Sequence, residues 1–344
     1  MIENIKPECP VCGNIRDNAS SDELMCKKCG FEYAFVKMFA GRHSRQIWSE
    51  IVNEKKTKLR KKNLSELIGK RNLFLGRNSV AYMLPETNRL ALIDGSGKIL
   101  FHEDVAFYDS SERNSLIVYK NGKIKVTGDN SYNQCDTDKL TDISHAICAP
   151  NCTYAVKKDG SVVSVGLCTD KNIKNWKNIS CLASGTYHLL ALSKNGNVTI
   201  SGEMIEQSVI DKILSWKNVK AIAAADDLSL ALFNDGTVSF AGRENDPRSE
   251  AENWTNIADI AADSSYAVGL TNDGNILLAG KCKAYLDMGR SAAREWKNIS
   301  AVSCSRSGIC AVDCNGKLYM VGNFIGDIPK VEKVWNDEIS AKYI

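Results

Sequence analysis

An internal repeat of about forty residues constrains the fold of this 344-residue chain more than any other feature. Its clearest mark is a tryptophan followed, after two or three polar residues, by a branched apolar one. The tryptophans lie 38 to 42 positions apart, at Trp176, Trp216, Trp254, Trp296 and Trp335. A unit of this length cannot bury a core alone, so the repeats must stack in a row or close into a ring.

Two glycines at fixed positions predict a β-hairpin in each unit. A glycine follows each of the first four tryptophans by 26 positions, and another glycine, preceded by Asn or Asp, lies six residues earlier. The earlier pairs are Asn195-Gly196, Asp235-Gly236, Asp273-Gly274 and Asn315-Gly316. Such pairs form tight turns because they tolerate positive φ. Apolar runs flank them, as in residues 189–192 and 198–200, so each unit supplies three short strands.

Two further units lie upstream, where the tryptophan is replaced. One runs from His102 to Gly128 and the other from Leu140 to Gly166, which makes six complete units. The seventh is predicted to be split, with its first strand in Trp335 to Ile344 and its other two in Ser79 to Gly95. The sequence therefore predicts an all-β fold, a seven-bladed β-propeller closed by pairing of N- and C-terminal strands, which leaves no open strand edge.

One connection carries a family resemblance. The segment Gly128-Asp-Asn130-Ser-Tyr132-Asn133-Gln134-Cys135 resembles the Gly-x-Asn…Gly-Gln hallmark of the regulator-of-chromosome-condensation repeat. The resemblance, to a bacterial-like variant of that repeat, covers about residues 79–344 and implies the same propeller. It also implies functional precedents, namely nucleotide exchange on a small GTPase and inhibition of β-lactamases by secreted bacterial members. His188 lies where members of the family often carry a histidine that hydrogen-bonds within its blade.

Two Cys-x-x-Cys-Gly motifs near the amino terminus predict a metal site. They supply Cys9 and Cys12, then Cys26 and Cys29, with 13 residues between the pairs. Each tight turn lets two thiolates face one ion, and two such turns complete the tetrahedral four-sulfur shell of a structural Zn²⁺. A thioredoxin-like redox role is disfavoured because no β-α-β pattern surrounds the motifs. Residues 1–40 are therefore predicted to form a zinc ribbon around one zinc ion.

Residues 41–70 are predicted to be a basic helical connector, and residues 71–344 to be the propeller. Between Ser44 and Ile68 apolar residues recur every three or four positions, on both sides of a run of lysines. Residues 1–70 carry 14 Lys and Arg against 9 Asp and Glu, whereas the rest of the chain carries 30 against 32. Either the helix packs its apolar stripe and leaves a solvated basic face, or residues 42–70 bind nucleic-acid phosphates. Binding to an acidic protein or a membrane surface is a third interpretation.

No constellation of residues points to catalysis, so the chain is not expected to be an enzyme. The four histidines occupy different positions in their units: His43, His102, His145 and His188. Asp94 to Lys98 lacks the earlier glycine and the final hydroxyl residue of a phosphate-binding loop. The neighbouring carboxylates of Asp226 and Asp227, and of Asp259 and Asp263, are interpreted as solvated acids. No small-molecule substrate is indicated.

The tryptophans and most other cysteines are interpreted as packing elements. The tryptophans recur at one structural position and should join adjacent blades. Cys148 and Cys304 share the register of Ala224 and Ala262, a position suited to small buried side chains. Three cysteines fall in turns or connections, where they could be exposed: Cys168, Cys282 and Cys314.

The total of thirteen cysteines and the amino-terminal sequence bear on the compartment. An odd cysteine count and the lack of a secretory signal argue against a disulfide framework and predict a cytoplasmic protein. No stretch is apolar for long enough to cross a bilayer, so membrane insertion is not expected.

The leading functional hypothesis is a non-catalytic adaptor whose propeller loops bind a protein partner, with the zinc ribbon as a second contact site. The connections after the repeat glycines differ most, and variable loops on a rigid scaffold are where recognition residues concentrate. Apolar, aromatic and cationic side chains in these connections are candidate anchors: Met204, Ile205, Val209, Ile210, Lys283, Tyr285, Arg290, Arg294, Phe324 and Ile325. The alternative is a nucleic-acid-associated factor that binds phosphates through the ribbon and the basic helix.

The zinc prediction has a direct test. The full-length protein should carry one zinc per chain, and the double substitution Cys9→Ser/Cys26→Ser should abolish it, because two thiolates cannot hold the ion. Elemental mass spectrometry measures the stoichiometry. Cys181→Ser, outside the motifs, serves as the control and should keep its zinc. Zinc retained in the double variant would contradict the assignment.

Overall fold

The computed structural model describes residues 72–84, 87–168, 171–202, 205–280 and 287–340, which form a ring of seven antiparallel sheets. The predicted seven-bladed β-propeller is confirmed. The predicted zinc ribbon, with Cys9, Cys12, Cys26 and Cys29, and the connector of residues 41–70 lie outside the described residues and stay predictions.

Each sheet is one blade, and its strands follow in chain order from the ring axis outward. Blades 1 to 3 contain β1 (Leu73–Leu75), β2 (Ser79–Met83), β3 (Leu90–Asp94), β4 (Ile99–His102); β5 (Val105–Ser110), β6 (Asn114–Tyr119), β7 (Ile124–Gly128); β8 (Ile143–Cys148), β9 (Cys152–Lys157), β10 (Val162–Gly166). Blades 4 to 7 contain β11 (Ile179–Ser184), β12 (His188–Ser193), β13 (Val198–Gly202); β14 (Val219–Ala225), β15 (Leu228–Phe233), β16 (Val238–Ala241); β17 (Ile257–Ala262), β18 (Ala267–Thr271), β19 (Ile276–Ala279); β20 (Ile299–Ser305), β21 (Gly308–Asp313), β22 (Leu318–Gly322).

Short helices lie in the connections between blades. They are the 3₁₀ helices Lys171–Asn175, Pro247–Asn253 and Arg290–Glu295, the α-helices α1 (Gln207–Ser215) and α2 (Ile328–Trp335), and a π-helical turn at Asn336–Ser340. Among the described residues no helix is long and apolar enough to cross a membrane.

The core lies between neighbouring blades. Second strands such as β12 and β15 are buried along almost their whole length, because each blade packs on both faces. The tryptophans join the blades as predicted: Trp216 packs with residues of blades 4 and 5, and Trp254 with residues of blades 5 and 6. Trp335 packs between blades 7 and 1 and is fully buried.

A backbone hydrogen bond links each of blades 1 to 6 to the blade that follows it. The N–H that begins an inner strand donates to the carbonyl of the turn glycine in the preceding blade, as from Ile179 to Gly160 at 3.0 Å. The same bond joins Ile143 to Gly122, Val219 to Gly196, Ile257 to Gly236 and Ile299 to Gly274. At Gly160 φ is +83°, and an added Cβ would lie 2.9 Å from the Cα of Asn178 in the next blade. The turn therefore needs glycine both for its conformation and for this close approach.

Blade 1 has no turn glycine, and Asn88 takes its place. Asn88 adopts a φ of +54°, and its carbonyl accepts the N–H of Val105 at 2.8 Å. Asparagine tolerates this left-handed conformation better than other non-glycine residues. The interblade bond is thus preserved although the sequence motif is absent.

The predicted closure of the ring by pairing of the N- and C-terminal strands is wrong. Ser79 to Gly95 does supply two strands, β2 and β3, but the inner strand of blade 1 is β1, immediately upstream. Residues 328–340 are helical. Asp327 caps α2 by accepting the N–H of Lys330 at 3.1 Å, and Pro329 lies in its first turn, where its missing N–H costs nothing.

The C-terminal segment closes the ring through hydrogen bonds and packing. The N–H groups of Ile325 and Asp327 donate to the carbonyls of Arg77 and Gly95 in blade 1. The indole Nε1 of Trp335 donates to the carbonyl of Gly316 in blade 7 at 2.7 Å. The Trp335 ring lies edge-on to that of Tyr82, with centroids 5.2 Å apart.

Removal of Trp335 should open this junction. Trp335→Ala should lower the free energy of unfolding by about 3–5 kcal/mol because it leaves a large cavity. Trp335→Phe should cost about 1–3 kcal/mol, since it mainly leaves the Gly316 carbonyl without its donor. Urea unfolding measures both, and wild-type stability in the alanine variant would contradict a closing role for this segment.

Candidate binding face and axial cavity

One face of the propeller gathers the loops between first and second strands, and we call it the mouth face. Because every blade is an antiparallel meander, the ends of the third strands reach the same face. Hydrogen bonds confirm this: Leu167 donates to the carbonyl of Asn151, and Thr186 to that of Asp226. The connections to the following blades start here.

Exposed apolar side chains concentrate on the mouth face. Eight large apolar residues are exposed among the described residues. Five of them lie on mouth-face loops and connections of different blades, each 44–55% exposed: Tyr132, Leu167, Tyr187, Met288 and Ile325. Scattered exposed apolar residues are ordinary, but five on the loops and connections of one face form a candidate interface.

The anchors predicted in the connections divide into exposed and buried groups. Ile325 is exposed, whereas Phe324 packs into the junction of blades 7 and 1. Arg290 is buried, and Val209 packs against the core between blades 4 and 5. Arg294 is exposed and donates to the carbonyl of Leu278; Ile205 and Ile210 are half-buried. The remaining predicted anchors, Met204, Lys283 and Tyr285, lie outside the described residues.

Arg306 reaches across the mouth of the ring. It belongs to the first loop of blade 7, and its Nη2 donates to Asp226 Oδ1 of blade 5 and to Thr186 Oγ1 of blade 4, the latter at 3.2 Å. Its Nε lies 3.9 Å from Glu112 Oε1 of blade 2. Burial alone would raise the pKa of Asp226, but hydrogen bonds from Thr186 and Arg306 hold it below its ordinary value. Four blades are thereby tied together over the axis.

Two buried arginines fix the loops of blades 5 to 7. Arg248 pairs with Asp227 and Asp246 and donates to the carbonyl of Ser264 in the next blade at 3.2 Å. Arg290, at the same place one repeat later, lies 3.9 Å from Asp263 and donates to the carbonyl of Arg306. Each guanidinium therefore joins its own blade to the next. Both lie six residues before a repeat tryptophan, so the sequence contains a signal for this shared role.

The interpretation of the paired acids as solvated is wrong. Asp259 and Asp263 are buried, at 5% and 2% exposure, and Asp226 and Asp227 form ion pairs. Arginines reach three of the four carboxylates: Arg306 pairs with Asp226, Arg243 and Arg248 pair with Asp227, and Arg290 lies 3.9 Å from Asp263. Burial raises the pKa of Asp263, although the N–H groups of Ser265 and Tyr266 oppose that change.

The ring encloses an axial cavity of about 700 Å³ that reaches the mouth face. One side of the cavity is lined by Phe74, Phe107 and His145. The ring centroids of Phe107 and His145 lie 4.2 Å apart. Lys220 lines another side and donates to the carbonyl of Ala258. Asp109 lies in the wall and accepts the N–H of Cys148 at 2.8 Å; burial nevertheless raises the pKa of Asp109 to about 7.

His188 and His145 contact residues of neighbouring blades. His188 is buried, and its Nε2 lies 2.8 Å from Ser229 Oγ. Ser229 belongs to blade 5, so this hydrogen bond joins two blades rather than lying within one. His145 contacts Phe107, and burial lowers the pKa of His102.

The cysteines depart from the prediction in two respects, at Cys168 and at Cys314. Cys148 is buried and Cys304 half-buried in the cavity wall, and burial raises the pKa of both thiols well above the ordinary value. Cys168, predicted to be exposed in a connection, forms a disulfide with Cys152, their Cα atoms 5.5 Å apart. Strand β9 begins beside the end of β10, which brings the two together. Cys314 is buried, and Cys282 lies outside the described residues.

Within the described ranges, no cluster of His, Cys, Asp or Glu has the arrangement of a metal site. The four predicted zinc ligands fall outside those ranges.

Known structures support the fold. No protein-family model matches the chain, and no curated protein matches it. The CRINKLY WD40 ectodomain of the Arabidopsis thaliana receptor kinase ACR4 is similar, at 12% identity and a TM-score of 0.58 over 74% of this chain and 96% of that one. Human WBSCR16 is 14% identical, with a TM-score of 0.51 over 74% of this chain and 88% of that one. Yeast RCC1 (Prp20), solved with Kap60 bound, is 14% identical, with a TM-score of 0.50 over 77% of this chain and 82% of that one. At these identities the likeness shows the β-propeller fold.

The raised pKa of Asp109 predicts a pH-dependent stability. Its carboxyl ionises near pH 7 when folded but near 3.8 when unfolded, so the folded state binds the extra proton between these values. This group should therefore make wild-type stability fall as the pH rises from about 4 to about 7, by at most about 4 kcal/mol.

Asp109→Asn should remove that dependence and stabilise the protein at pH 8 more than at pH 5. Asparagine keeps an oxygen acceptor for the Cys148 N–H. Urea unfolding at both pH values measures the effect, and the exposed control Asp138→Asn should behave like wild type. Identical pH dependence in Asp109→Asn and wild type would contradict the assignment.

Proposed function

We propose that this chain is a non-catalytic protein-binding adaptor, with the mouth face as its recognition surface. The observation that carries the proposal is the set of five half-exposed apolar side chains on the loops and connections of the mouth face. Tyrosine and other large apolar side chains are frequent anchors of protein interfaces.

The loops that carry these anchors are held in place before any partner binds. The backbone of Tyr187 follows Thr186, which both donates to Asp226 and accepts from Arg306. Leu167 precedes the disulfide-bonded Cys168. A preorganised surface loses less conformational entropy on binding, which favours affinity.

The polar groups of the mouth face support binding rather than turnover. Asp226, Asp227 and Asp246 are engaged by arginines, and such ion pairs stabilise structure rather than poise a base near neutral pH. The likeness to yeast RCC1, whose structure was solved with a protein bound, agrees with a binding role. A propeller of the regulator-of-chromosome-condensation type, with the predicted zinc ribbon as a second contact site, completes the proposal.

Affinity capture from the native lysate tests this function. The full-length protein, treated with nuclease, is compared with Leu167→Ser/Tyr187→Ser. The double variant should retain the partner at least about tenfold less, because two anchors at the centre of an interface are worth more than 1.4 kcal/mol.

The matched control is Leu100→Ser/Leu214→Ser, which removes two equally exposed leucines away from the mouth face. It should retain the partner as wild type does. Equal loss in both variants, or equal retention in both, would exclude the mouth face as the recognition surface.

A further inference from the structure

The opposite face of the propeller has different chemistry, and we call it the turn face. It carries the turns between second and third strands, together with the two residues that precede each inner strand. Hydrogen bonds such as Ile143 to Gly122 and Lys158 to Asp142 place these segments side by side.

Lysines are concentrated in one sector of the turn face, which runs from the turn of blade 2 to the start of blade 5. The six segments of this sector are residues 120–123, 141–142, 158–161, 177–178, 194–197 and 217–218. They contain six lysines, all exposed, which we call the lysine arc: Lys120, Lys123, Lys158, Lys177, Lys194 and Lys217. The acidic residues of the six segments are Asp142 and Asp159, so the sector has a net charge of +4.

The rest of the same face has no excess of positive charge, and the two residues before the inner strand of blade 2, Glu103 and Asp104, are acidic. Its corresponding segments in blades 5 to 7, residues 234–237, 255–256, 272–275, 297–298 and 314–317, carry Lys297 and Lys317 against Asp235 and Asp273. The positive charge is therefore a property of one sector and does not follow from the repeat itself.

The backbone beneath the lysine arc is fixed, whereas its ammonium groups remain in solvent. Each turn is bonded to the next inner strand, as in Ile179 to Gly160 and Val219 to Gly196, both at 3.0 Å. None of the ion pairs formed among the described residues involves a lysine of the arc. The charges are thus displayed on a hydrogen-bonded backbone and are not engaged in ion pairs among the described residues.

We propose that the lysine arc binds the phosphate backbone of double-stranded nucleic acid without reading its sequence. Lysines supply the charge that releases counterions, and neutral amides supply further donors to phosphates. Exposed amides interleave the arc at Asn121, Asn178, Asn195 and Asn218.

The other polyanions fit less well. Protein interfaces favour aromatic and arginine anchors and are depleted in lysine, and the arc segments contain no aromatic or arginine residue. Single strands need aromatic side chains for base stacking, which are likewise absent from these segments. None of the exposed large apolar residues lies in the arc segments, so nothing there would insert into a bilayer.

The test is binding of the full-length protein to a fluorescent 20-base-pair DNA duplex at several salt concentrations. Lys120→Gln/Lys158→Gln/Lys194→Gln should weaken binding at least about tenfold at about 50 mM salt. It should also reduce the slope of log affinity against log salt by about 2.7, since each lost phosphate contact contributes about 0.9.

The charge-matched control is Lys297→Gln/Lys330→Gln/Lys333→Gln, which removes three exposed lysines outside the arc. It should keep most of the affinity, which also separates the arc from the basic residues 42–70, present in both variants. No binding by wild type, or equal loss in the two triple variants, overturns the proposal.

Two further probes identify the source of the negative charge. Vesicles with 30% phosphatidylserine, or polyglutamate, that bound more tightly than duplex and in an arc-dependent manner would overturn the nucleic-acid assignment. Failure here leaves the proposed mouth-face function intact, because the arc variants should still retain the protein partner, and the mouth-face variants should still bind duplex.

Discussion

The hydrogen bond from each inner strand to the turn carbonyl of the preceding blade is the interaction on which the ring depends. It fixes the position of one blade on the next. The N–O distance is 2.8–3.0 Å at every such junction, from the Val105–Asn88 bond of blades 1 and 2 to the Ile299–Gly274 bond of blades 6 and 7. The bond needs a turn residue in the left-handed conformation, which is glycine in blades 2 to 6 and Asn88 in blade 1, and it brings the core faces of neighbouring blades into contact. The tryptophans then fill the space between those faces, so local turn chemistry and long-range packing support the same arrangement.

At the junction of blades 7 and 1 the turn carbonyl still accepts a hydrogen bond, although the donor is no longer the backbone N–H of an inner strand. Among residues 323–340 no strand follows blade 7, yet the Gly316 carbonyl is still satisfied, by the indole of Trp335. Leaving it bare in a buried site would cost about 1–3 kcal/mol. The closing segment is therefore helical, but it fulfils the same hydrogen-bonding and packing requirements as a strand would.

The repeat made most of this fold predictable, because turn pairs and tryptophans at constant spacing define strands, blades and their number. The closure was missed although the sequence contains its signal: Val331, Trp335 and Ile339 recur every four residues after a capping Asp327, which is a helical pattern. The binding face was predicted only as a set of loops. Its arginine pairs were not predictable, because Arg306 and Asp226 lie 80 residues apart and meet only across the ring axis.

The two faces of the propeller differ in chemistry. The mouth face carries exposed apolar side chains and loops held by arginines, and the turn face carries a sector of exposed lysines.

Hydrogen–deuterium exchange of the full-length protein, with and without its captured protein partner, tests this account most directly. Slower exchange in the mouth-face loops, residues 149–151 and 185–187, with unchanged exchange in the turns 158–161 and 194–197, is the predicted result. Protection confined to the turns would contradict it.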